Sequence, residues 1–571
     1  MKKIKSYILI AMMGLSVSSC KDFLTLMPMN EVVLENFWTN ESDVESVLMG
    51  AYAALESDDC ILRMSAWGEM RSDNIVQNDQ SNSSDEDLIQ FINENINSQN
   101  TLTTYLCFYK AINYANTVLH YAPEVRKIDP NYHASELRAN QAEAIAIRSL
   151  SYWYLLRAFR DVPFTTIPSI DDTHDFFIGK TPFNEVLDSL INDLERVKDY
   201  PPVRYTDDES KAVTNTARFT RLSIRALLAD MYLWKGDWDK CIACCDYITT
   251  AKYEEYKEIK SKKGPNCTIE IVNNKYPLIN EIFRDKNGNQ VCGNAYNEIF
   301  ATGGSFETLF ELPFDRSHEN GFVSKYYNDQ NSSMGLLKAG TKIERDGSED
   351  GFSPYDVRYY QNIMGTGSDK GIFKYVYEKM SYDMSQAKAL SEVGSKRSNK
   401  YSNWIVYRYT DVLLMEAEAK TQLAVLETGA DSLNSLKEAF ELVDAVNRRA
   451  ICCMSKDNPV YKNATTLSES DYLSVTAMEK LVMQERRREL MFEGKRWFDL
   501  VRKAMREGNA ESVANTVGGK SSNYNSQTVG VKFKNLNGLF LPFNRDEIKI
   551  NDNLVQNPAY SQQDEHIKKA K

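Results

Sequence analysis

The sequence is poor in the residues that metal sites, catalytic triads and nucleic-acid surfaces require. It contains 5 His in 571 residues, and its 68 Lys and Arg are outnumbered by 80 Asp and Glu, so the formal net charge is -12. A nucleic-acid-binding protein needs a basic surface for phosphates, and this charge balance argues against that class. The sequence also has no H-E-x-x-H and no G-x-S-x-G motif, the signatures of many zinc proteases and serine hydrolases.

Ten cysteines are present, but their spacing forms neither a metal-ligand set nor a disulfide set. Cys241, Cys244 and Cys245 form a C-x-x-C-C group with no histidine near it in sequence. A structural zinc site usually takes two separated pairs of ligands. One cysteine is assigned below to lipidation, and an odd number at irregular spacing does not indicate a disulfide framework. We therefore expect no metal ion and no cofactor.

An apolar segment at the N-terminus is too short to span a bilayer. Residues 1–19 combine an early lysine cluster with an apolar run over 7–15, the pattern of a signal peptide. The following VSSC resembles a bacterial lipobox, in which Cys20 is lipidated and becomes the mature N-terminus. Residues 20–36 would then form a lipidated tether. The remaining chain has no long apolar run, so we expect it to be soluble and held at a membrane by lipid.

Much of the chain carries apolar residues at helical spacing. The clearest repeat is residues 228–242, LADMYLWKGDWDKCI, which fits the tetratricopeptide pattern of a helix, a Gly-Asp-aromatic turn and a second helix. Cys241 stands at a position for a small residue, so we interpret the cysteine group as apolar packing. Such repeats need stacked neighbours to bury a core. Partner helices are predicted around residues 44–55, 105–119, 142–159, 181–197, 404–423 and 432–450.

Between residues 253 and 397 the helical periodicity fades, and Gly, Asn, Asp, Ser and aromatic residues dominate. Residues 285–289, DKNGN, indicate an Asn-Gly hairpin turn; a calcium loop is the weaker alternative because its spaced glutamate is missing. The sequence thus predicts an all-α, tetratricopeptide-like superhelical scaffold with an irregular, loop-rich insertion carrying short hairpins. Its parts, in one compact unit, are an N-terminal helical part (37–252), the insertion (253–397) and a C-terminal helical part (398–571).

A charged stretch near the C-terminal end organises the rest of the chain. Residues 484–502 read QERRRELMFEGKRWFDLVR and predict a helix up to Glu493, a turn at Gly494 and a second short segment. On pattern alone this is a solvated helix with salt bridges between residues three or four apart. Glu489 and Glu493 form a carboxylate pair, but nearby arginines favour its charged form. We therefore interpret the pair as ion-paired scaffold and not as the acid of a glycosidase.

The same stretch resembles the signature of the SusD/RagB family, surface glycan-binding lipoproteins of the nutrient-uptake systems of Bacteroidota. Within this stretch, Leu490-Met491 stands where the family usually has Phe and a small residue, and Lys495 replaces a common His or Tyr. Elsewhere Arg160 and Ala559 stand where the family usually has Gly. Further segments resemble the family in the same order along the chain: residues 22–28, 37–55, 142–164, 403–419, 445–450 and 539–560.

The resemblance implies a non-catalytic lipoprotein on the outer face of the outer membrane. It would capture oligo- or polysaccharide and deliver it to a SusC-like TonB-dependent transporter, acting as a lid over that barrel. Oligopeptide cargo is the first alternative, and a surface glycosidase or a scaffold without a small ligand are the others. Loops rich in Trp and Tyr favour sugar, whereas a strongly charged cleft would favour peptide. The candidate ligand contacts are Trp67, Arg71, Asp73 and Asn74 in an early loop, and Tyr296, Phe306, Tyr326 and Tyr327 in the insertion.

Overall fold

The computed structural model describes most of the chain between Phe37 and Ser561. The described residues are 37–79, 85–170, 177–284, 290–327, 335–348, 350–365, 370–380, 382–383, 395–397, 400–452, 466–520 and 526–561. The predicted signal peptide, Cys20 and the tether lie outside this part of the chain.

The described part is mainly helical, which confirms the predicted fold class. None of its helices is both long enough and apolar enough to cross a membrane. The helices are α1 Glu41–Leu55, α2 Asp58–Ser65, α3 Glu86–Ile92, α4 Leu106–Ile128, α5 Ala134–Phe159, α6 Phe183–Val197, α7 Val213–Ala217, α8 Arg221–Lys235, α9 Trp238–Lys263, α10 Asn294–Tyr296, α11 Arg358–Asn362, α12 Tyr409–Leu426, α13 Ala430–Ala450, α14 Val475–Leu490, α15 Arg496–Glu507, α16 Glu511–Val517, α17 Ser526–Lys532 and α18 Arg545–Ile550.

The long helices pack on one another largely in chain order. Helix α1 packs on α4, α4 on α5, α5 on α6, and α6 on α8. Helices α8 and α9 form a pair, α9 packs on α12, and α12 forms a second pair with α13, against which α14 also packs. This is the stack of helix pairs that the tetratricopeptide pattern predicts, because each pair buries its apolar face against the next.

The predicted repeat is the pair α8 and α9. Gly236 follows α8 with φ of +81°, a left-handed conformation that glycine adopts without steric cost and that reverses the chain. Cys241, Cys244 and Cys245 are buried along α9, which confirms that they serve as packing residues. Burial raises the pKa of the Cys245 thiol well above its usual value.

One predicted helix begins later than expected. Residues 404–423 were expected to be helical, but Trp404–Arg408 forms strand β15, and α12 begins only at Tyr409. β15 pairs antiparallel with Thr308–Leu312 of the insertion, strand β8. Ile405, Val406 and Tyr407 suit a buried strand, and this pairing across the sequence overrides the local helical pattern.

The insertion is built of short strands and turns. Ile269–Val272 pairs with Tyr276–Ile279, and Ile282–Arg284 pairs antiparallel with Gln290–Cys292, so a hairpin flanks residues 285–289, which lie outside the described residues. A four-stranded sheet joins the insertion to the early loop through Ile75–Gln77, strand β1. The strands are β1 Ile75–Gln77, β2 Val162–Pro163, β3 Lys180–Thr181, β4 Ile269–Val272, β5 Tyr276–Ile279, β6 Ile282–Arg284, β7 Gln290–Cys292, β8 Thr308–Leu312, β9 Leu337–Ala339, β10 Ile363–Met364, β11 Gly371–Ile372, β12 Tyr377–Lys379, β13 Tyr382–Asp383, β14 Ser395–Lys396 and β15 Trp404–Arg408.

The charged stretch forms the predicted helix, turn and second segment, but α14 ends at Leu490 and not at Glu493, and the stretch is buried and not solvated. Glu489 is 3% exposed and contacts three arginine side chains. Arg408 Nη1 donates to it at 2.6 Å, Arg358 Nη1 donates at 2.9 Å, and Arg449 donates as well. Burial alone would raise the pKa of Glu489, but Arg449, Arg408 and Arg358 lower it well below its usual value. The interpretation as ion-paired scaffold is therefore confirmed for Glu489, and Glu493 is paired with Arg408 in the same way.

Two buried carboxylates on α12 have opposite environments. Burial, with Asp246 nearby, raises the pKa of Glu416 to about 7. Glu418 is equally buried but accepts from Arg502 Nε at 2.9 Å and Arg506 Nη1 at 3.1 Å. These arginines outweigh burial and lower the pKa of Glu418. At neutral pH the two positions therefore make contributions of opposite sign to the stability of the fold.

We expect Glu416→Gln to stabilise the protein at high pH. A carboxyl group whose pKa is raised in the folded state stabilises the fold at pH values below its pKa in the unfolded chain. That stabilisation is lost as the pH rises through the pKa in the folded protein, about 7 for Glu416. The neutral amide removes that loss, so the free energy of unfolding should increase by up to about 3 kcal/mol near pH 8 and by less than about 1 kcal/mol near pH 5. Urea unfolding of wild type and variant at the two pH values measures this difference.

The matched control for this experiment is Glu418→Gln, two residues away on the same helix. It leaves Arg502 and Arg506 without their buried partner, so it should destabilise the protein by about 3 kcal/mol or more near pH 8. A loss of stability of the same size in Glu416→Gln near pH 8 would contradict the assignment of a raised pKa to Glu416.

Candidate functional site

The early loop places Trp67 inside the protein. Trp67 belongs to a π-helical turn, Ala66–Met70, and is 1% exposed. Its Nε1 donates to Leu102 O at 2.8 Å, and its ring packs on Phe108 and Phe159 at centroid distances of 5.2 and 5.3 Å. A ring so enclosed offers no face to a ligand, and the structure therefore assigns Trp67 to the scaffold.

Arg71 is also enclosed. Its Nε donates to Glu94 Oε1 at 2.6 Å, and its guanidinium lies 4.1 Å from the ring centroid of Trp497. Arg71 thus ties the early loop to Glu94 after α3 by an ion pair and to the start of α15 by a cation–π contact, both shielded from water. Arg71 Nη1 adds a hydrogen bond of 2.6 Å to Leu539 O.

Asp73 and Asn74 contact the arginines of the charged stretch. Asp73 Oδ1 accepts from Arg496 Nε at 2.9 Å, and Arg487 lies 3.1 Å from its other oxygen. Asn74 Oδ1 accepts from Arg487 Nε at 2.8 Å. The two side chains were predicted from their sequence as ligand contacts, but their polar atoms are used within the buried network.

Gly68 and Glu69 complete this contact. The Glu69 carboxylate accepts the backbone N–H groups of Phe492 and Lys495, each at 3.1 Å, and so satisfies the turn before α15. A Cβ atom on Gly68 would lie 1.9 Å from Gly494 O, so only glycine permits this close approach of two backbones. The early loop is therefore docked on the turn between α14 and α15.

Three of the four predicted residues in the insertion are also buried. The Tyr296 hydroxyl accepts from Tyr377 N at 3.2 Å, and the Tyr327 hydroxyl donates to Phe492 O at 2.9 Å. Tyr326 stacks on Phe322 with ring centroids 5.1 Å apart. The structure thus brings Arg71, Asp73, Asn74 and Tyr327 together around residues 487–497, but as packing of the end of α14 and the turn before α15.

Phe306 differs from the other predicted residues because it lines a large open cleft. This space, the Phe306 cleft, has a volume of about 550 Å³. It is bounded by residues 203–216, by α9 from Ala251 to Lys263, and by residues 298–309 of the insertion. The cleft therefore lies where the helical scaffold meets the insertion.

Lys252 of α9 holds Phe306 in place. Its Nζ donates to Phe306 O at 2.7 Å and to Glu255 Oε2 at 2.8 Å, and it lies 4.7 Å from the centre of the Phe306 ring. Lys252 is itself buried, so the contact is poorly screened by solvent. The position of the ring is thus fixed before any ligand arrives, which reduces the entropy cost of binding.

Two consecutive glycines shape the turn that leads to Phe306 in the same wall of the cleft. Gly303 and Gly304 have φ of +75° and +60°, and a Cβ atom on Gly304 would lie 2.7 Å from Val213 N. Gly304 N donates to Glu311 Oε1 at 2.6 Å, and Thr216 Oγ1 donates to the same oxygen at 2.7 Å. These contacts hold the turn before Phe306 against residues 212–216.

The remaining lining of the cleft is polar and charged. Hydroxyl and amide groups come from Thr206, Asn215 and Ser305. More acidic than basic side chains line the cleft, and part of the charge is paired, as in Arg204 Nη2 to Glu258 Oε2 at 2.8 Å. An apolar ring beside fixed donors and acceptors can hold a sugar, whose faces are apolar and whose rim carries hydroxyls.

The sequence identified one wall of this cleft and missed the other two. Phe306 was selected because it is an aromatic residue in the insertion. The adjacent Gly303-Gly304 pair was a usable sign of a close backbone approach. The contribution of α9 was not visible, because α9 extends well past the repeat that predicted it, to Lys263.

Two family models match this chain, each over a different part of the sequence. A model described as "SusD family" matches residues 318–560, and one described as "Starch-binding associating with outer membrane" matches residues 22–233. Together they span about four fifths of the sequence. SusD-like protein P38 of Formosa agariphila is 26% identical over 88% of this chain and 92% of its own length.

Solved structures show the same fold at low sequence identity. A laminarin-binding SusD-like protein superposes with a TM-score of 0.60 at 20% identity, covering 91% of this chain and 100% of that protein. Surface glycan-binding protein A from Bacteroides uniformis superposes with a TM-score of 0.62 at 19% identity, with the same coverage. The fold is thus shared along almost the whole chain.

We expect Gly68→Ala to destabilise the protein strongly. The added Cβ meets the Gly494 carbonyl, so the early loop must separate from the turn before α15, at a cost of at least about 3 kcal/mol. Gly50→Ala is the matched control, since Gly50 lies within α1 and the added carbon would point into open space. It should raise stability by up to about 1 kcal/mol. Thermal unfolding of both variants measures this, and equal effects would contradict the docking.

Proposed function

Because the chain belongs to the SusD family, we propose that it binds oligo- or polysaccharide in the Phe306 cleft at the cell surface. The observation that carries this proposal is the combination of an immobilised aromatic ring with a polar lining in an open cleft. Two of its structural relatives are named for binding laminarin and surface glycans, which supports the ligand class.

The proposed role is binding without turnover. Hydrolysis of a glycoside needs a carboxylic acid that stays protonated near neutral pH. In the cleft, Ser210 lowers the pKa of the Asp208 carboxyl, and Arg204 lowers that of the Glu258 carboxyl. Among the described residues, the carboxyl groups with pKa raised to about 7, those of Glu56, Glu281 and Glu416, lie outside the Phe306 cleft. These environments support a binding protein.

The proposal extends to the location and the partner. The protein is anchored by lipid on Cys20 to the outer face of the outer membrane and passes its ligand to a SusC-like TonB-dependent transporter. The lipobox-like sequence before Cys20 supports the anchor, and one matching family model is described as associating with the outer membrane. Membership of the SusD family supports the transporter as partner.

Oligopeptide is the second candidate ligand, and the charge of the cleft favours it. Arg204 and Lys252 face an excess of carboxylates, among them Glu255 and Glu258. Charged groups of both signs suit the termini and side chains of a peptide better than they suit a neutral sugar. The binding experiment below therefore includes both ligand classes.

We expect Phe306→Ala to weaken glycan binding roughly tenfold, because it removes a stacking surface. Protein starting at Lys21 is run in native gels that contain laminarin or other polysaccharides, and its retardation gives the affinity. Tyr247→Ala is the matched control, since Tyr247 is an exposed ring on α9 outside the cleft. Unchanged retardation of Phe306→Ala would contradict the site. Binding of a peptide digest without binding of any glycan would replace glycan by peptide as the ligand.

We expect Cys20→Ala to release the protein from membranes. Without the thiol no lipid can be attached, and no described helix can span a bilayer in its place. Fractionation of cells that express wild type or variant, followed by immunoblotting, measures the membrane-bound share. A variant that stays in the membrane fraction at the wild-type level would rule out Cys20 as the anchor.

A further inference from the structure

A second groove lies on the helical scaffold, away from the Phe306 cleft. It runs between α5 and α6, has a volume of about 600 Å³, and shares none of its lining residues with the Phe306 cleft among the described residues. Its charged lining consists of Arg138, Arg148 and Arg196 with the single carboxylate of Asp193. We call it the arginine groove.

Asp193 is shared by two of these arginines. Arg148 Nη2 donates to Asp193 Oδ2 at 2.7 Å, and Arg196 Nη2 donates to Asp193 Oδ1 at 2.9 Å. Arg138 pairs with no carboxylate among the described residues; its guanidinium lies 6.0 Å from the ring centroid of Tyr200. The groove therefore carries a local excess of positive charge, in a chain whose formal net charge is -12.

Arg148 is the most deeply placed of the three cations. Its side chain is 6% exposed, and besides Asp193 it donates to Asn116 Oδ1 at 2.9 Å. Its Nε has no hydrogen-bond partner among the described residues. Burial removes water from the Arg148 guanidinium, and the attraction of one shared carboxylate offsets only part of that desolvation cost. A further anion in the groove would therefore stabilise the guanidinium.

The groove also offers an apolar surface. Tyr200 is 40% exposed, and Leu119 and Ile145 are further lining residues. A planar guanidinium binds carboxylate or sulfate through two parallel hydrogen bonds, and an exposed ring stacks on the face of a sugar. The features together fit a ligand that has both an acidic group and a ring.

We propose that the arginine groove binds an acidic sugar residue of a glycan, through a carboxylate or a sulfate group held by Arg138, Arg148 and Arg196. This deepens the proposed function, because it adds to the Phe306 cleft a second subsite that selects anionic glycans. The ring of the sugar lies against Tyr200. Coulombic attraction by the groove acts on the acidic group and is screened by salt.

The experiment compares charged and neutral forms of the same oligosaccharides by isothermal titration calorimetry. Protein from Lys21 to Lys571 is titrated with tetragalacturonate and its carboxyl-reduced form, and with a sulfated galactan tetrasaccharide and its desulfated form. We expect at least one charged form to bind about tenfold more tightly than its neutral counterpart, with a preference that declines between roughly 50 and 500 mM NaCl. The two pairs distinguish carboxylate from sulfate recognition.

Arg138→Gln combined with Arg196→Gln tests the groove itself. Both side chains are largely exposed to solvent, so the variant should fold, whereas Arg148 is left in place. We expect the preference for the charged form to fall at least about fivefold, because two of the three cations are lost. Lys257→Gln with Lys260→Gln is the control: it makes the same change of net charge on α9, outside both clefts.

Two outcomes would overturn the proposal. One is equal affinity of wild type for charged and neutral forms in both pairs. The other is a preference that survives in the double arginine variant. The Phe306→Ala variant separates this proposal from the proposed function. If that variant binds the neutral oligosaccharide more weakly but still prefers the charged form, both sites are supported. If its affinity for the neutral oligosaccharide is unchanged, the Phe306 cleft is rejected as a binding site, and the arginine groove is not.

Discussion

The buried carboxylate of Glu489 is the interaction on which the rest of the structure depends. Its three arginine partners come from different parts of the chain: Arg358 from the insertion, Arg408 from β15, and Arg449 from α13. Arg408 also pairs with Glu493 in the following turn. The early loop contacts the same turn, because Glu69 accepts a hydrogen bond from the backbone of Phe492 and Gly68 lies against the Gly494 backbone. The N-terminal helices, the insertion and the C-terminal helices therefore meet around one group of buried charges.

Such a network contributes more to specificity than to net stability. Burying charges costs solvation energy that their mutual attraction only partly returns, so an apolar core of the same volume would be equally stable or more so. A carboxylate with three guanidinium partners, however, tolerates few alternative arrangements, because any displaced partner leaves a buried charge unpaired. This constraint fixes how the insertion sits on the helices, and thereby where the walls of the Phe306 cleft meet.

The sequence predicted the local part of this arrangement and not the distant part. The helix, the turn at Gly494 and the ion pairing of residues 484–502 follow from spacing within one segment. The burial of these charges does not follow from that spacing, because the partners Arg358, Arg408 and Arg449 come from other parts of the chain. The same reason explains the early loop. Trp67 was predicted as a ligand contact from its place in a loop, whereas the approach of the distant Gly494 backbone requires Gly68 and places this turn inside the protein.

The same constraint separates the scaffold from the ligand surfaces. A residue that fills a place in the buried network, such as Asp73 or Tyr327, cannot change with the ligand without loss of the fold. Phe306 and Arg138 border open space, so substitution there alters a cleft and leaves the network intact. The segments that resemble the family therefore lie mainly in the buried scaffold and carry little information about the ligand. Ligand specificity must be sought at residues outside those motifs. The aromatic candidates were all chosen by residue type and placement in a loop or in the insertion. Those two criteria do not separate rings that pack in the scaffold from Phe306, which lines a cleft.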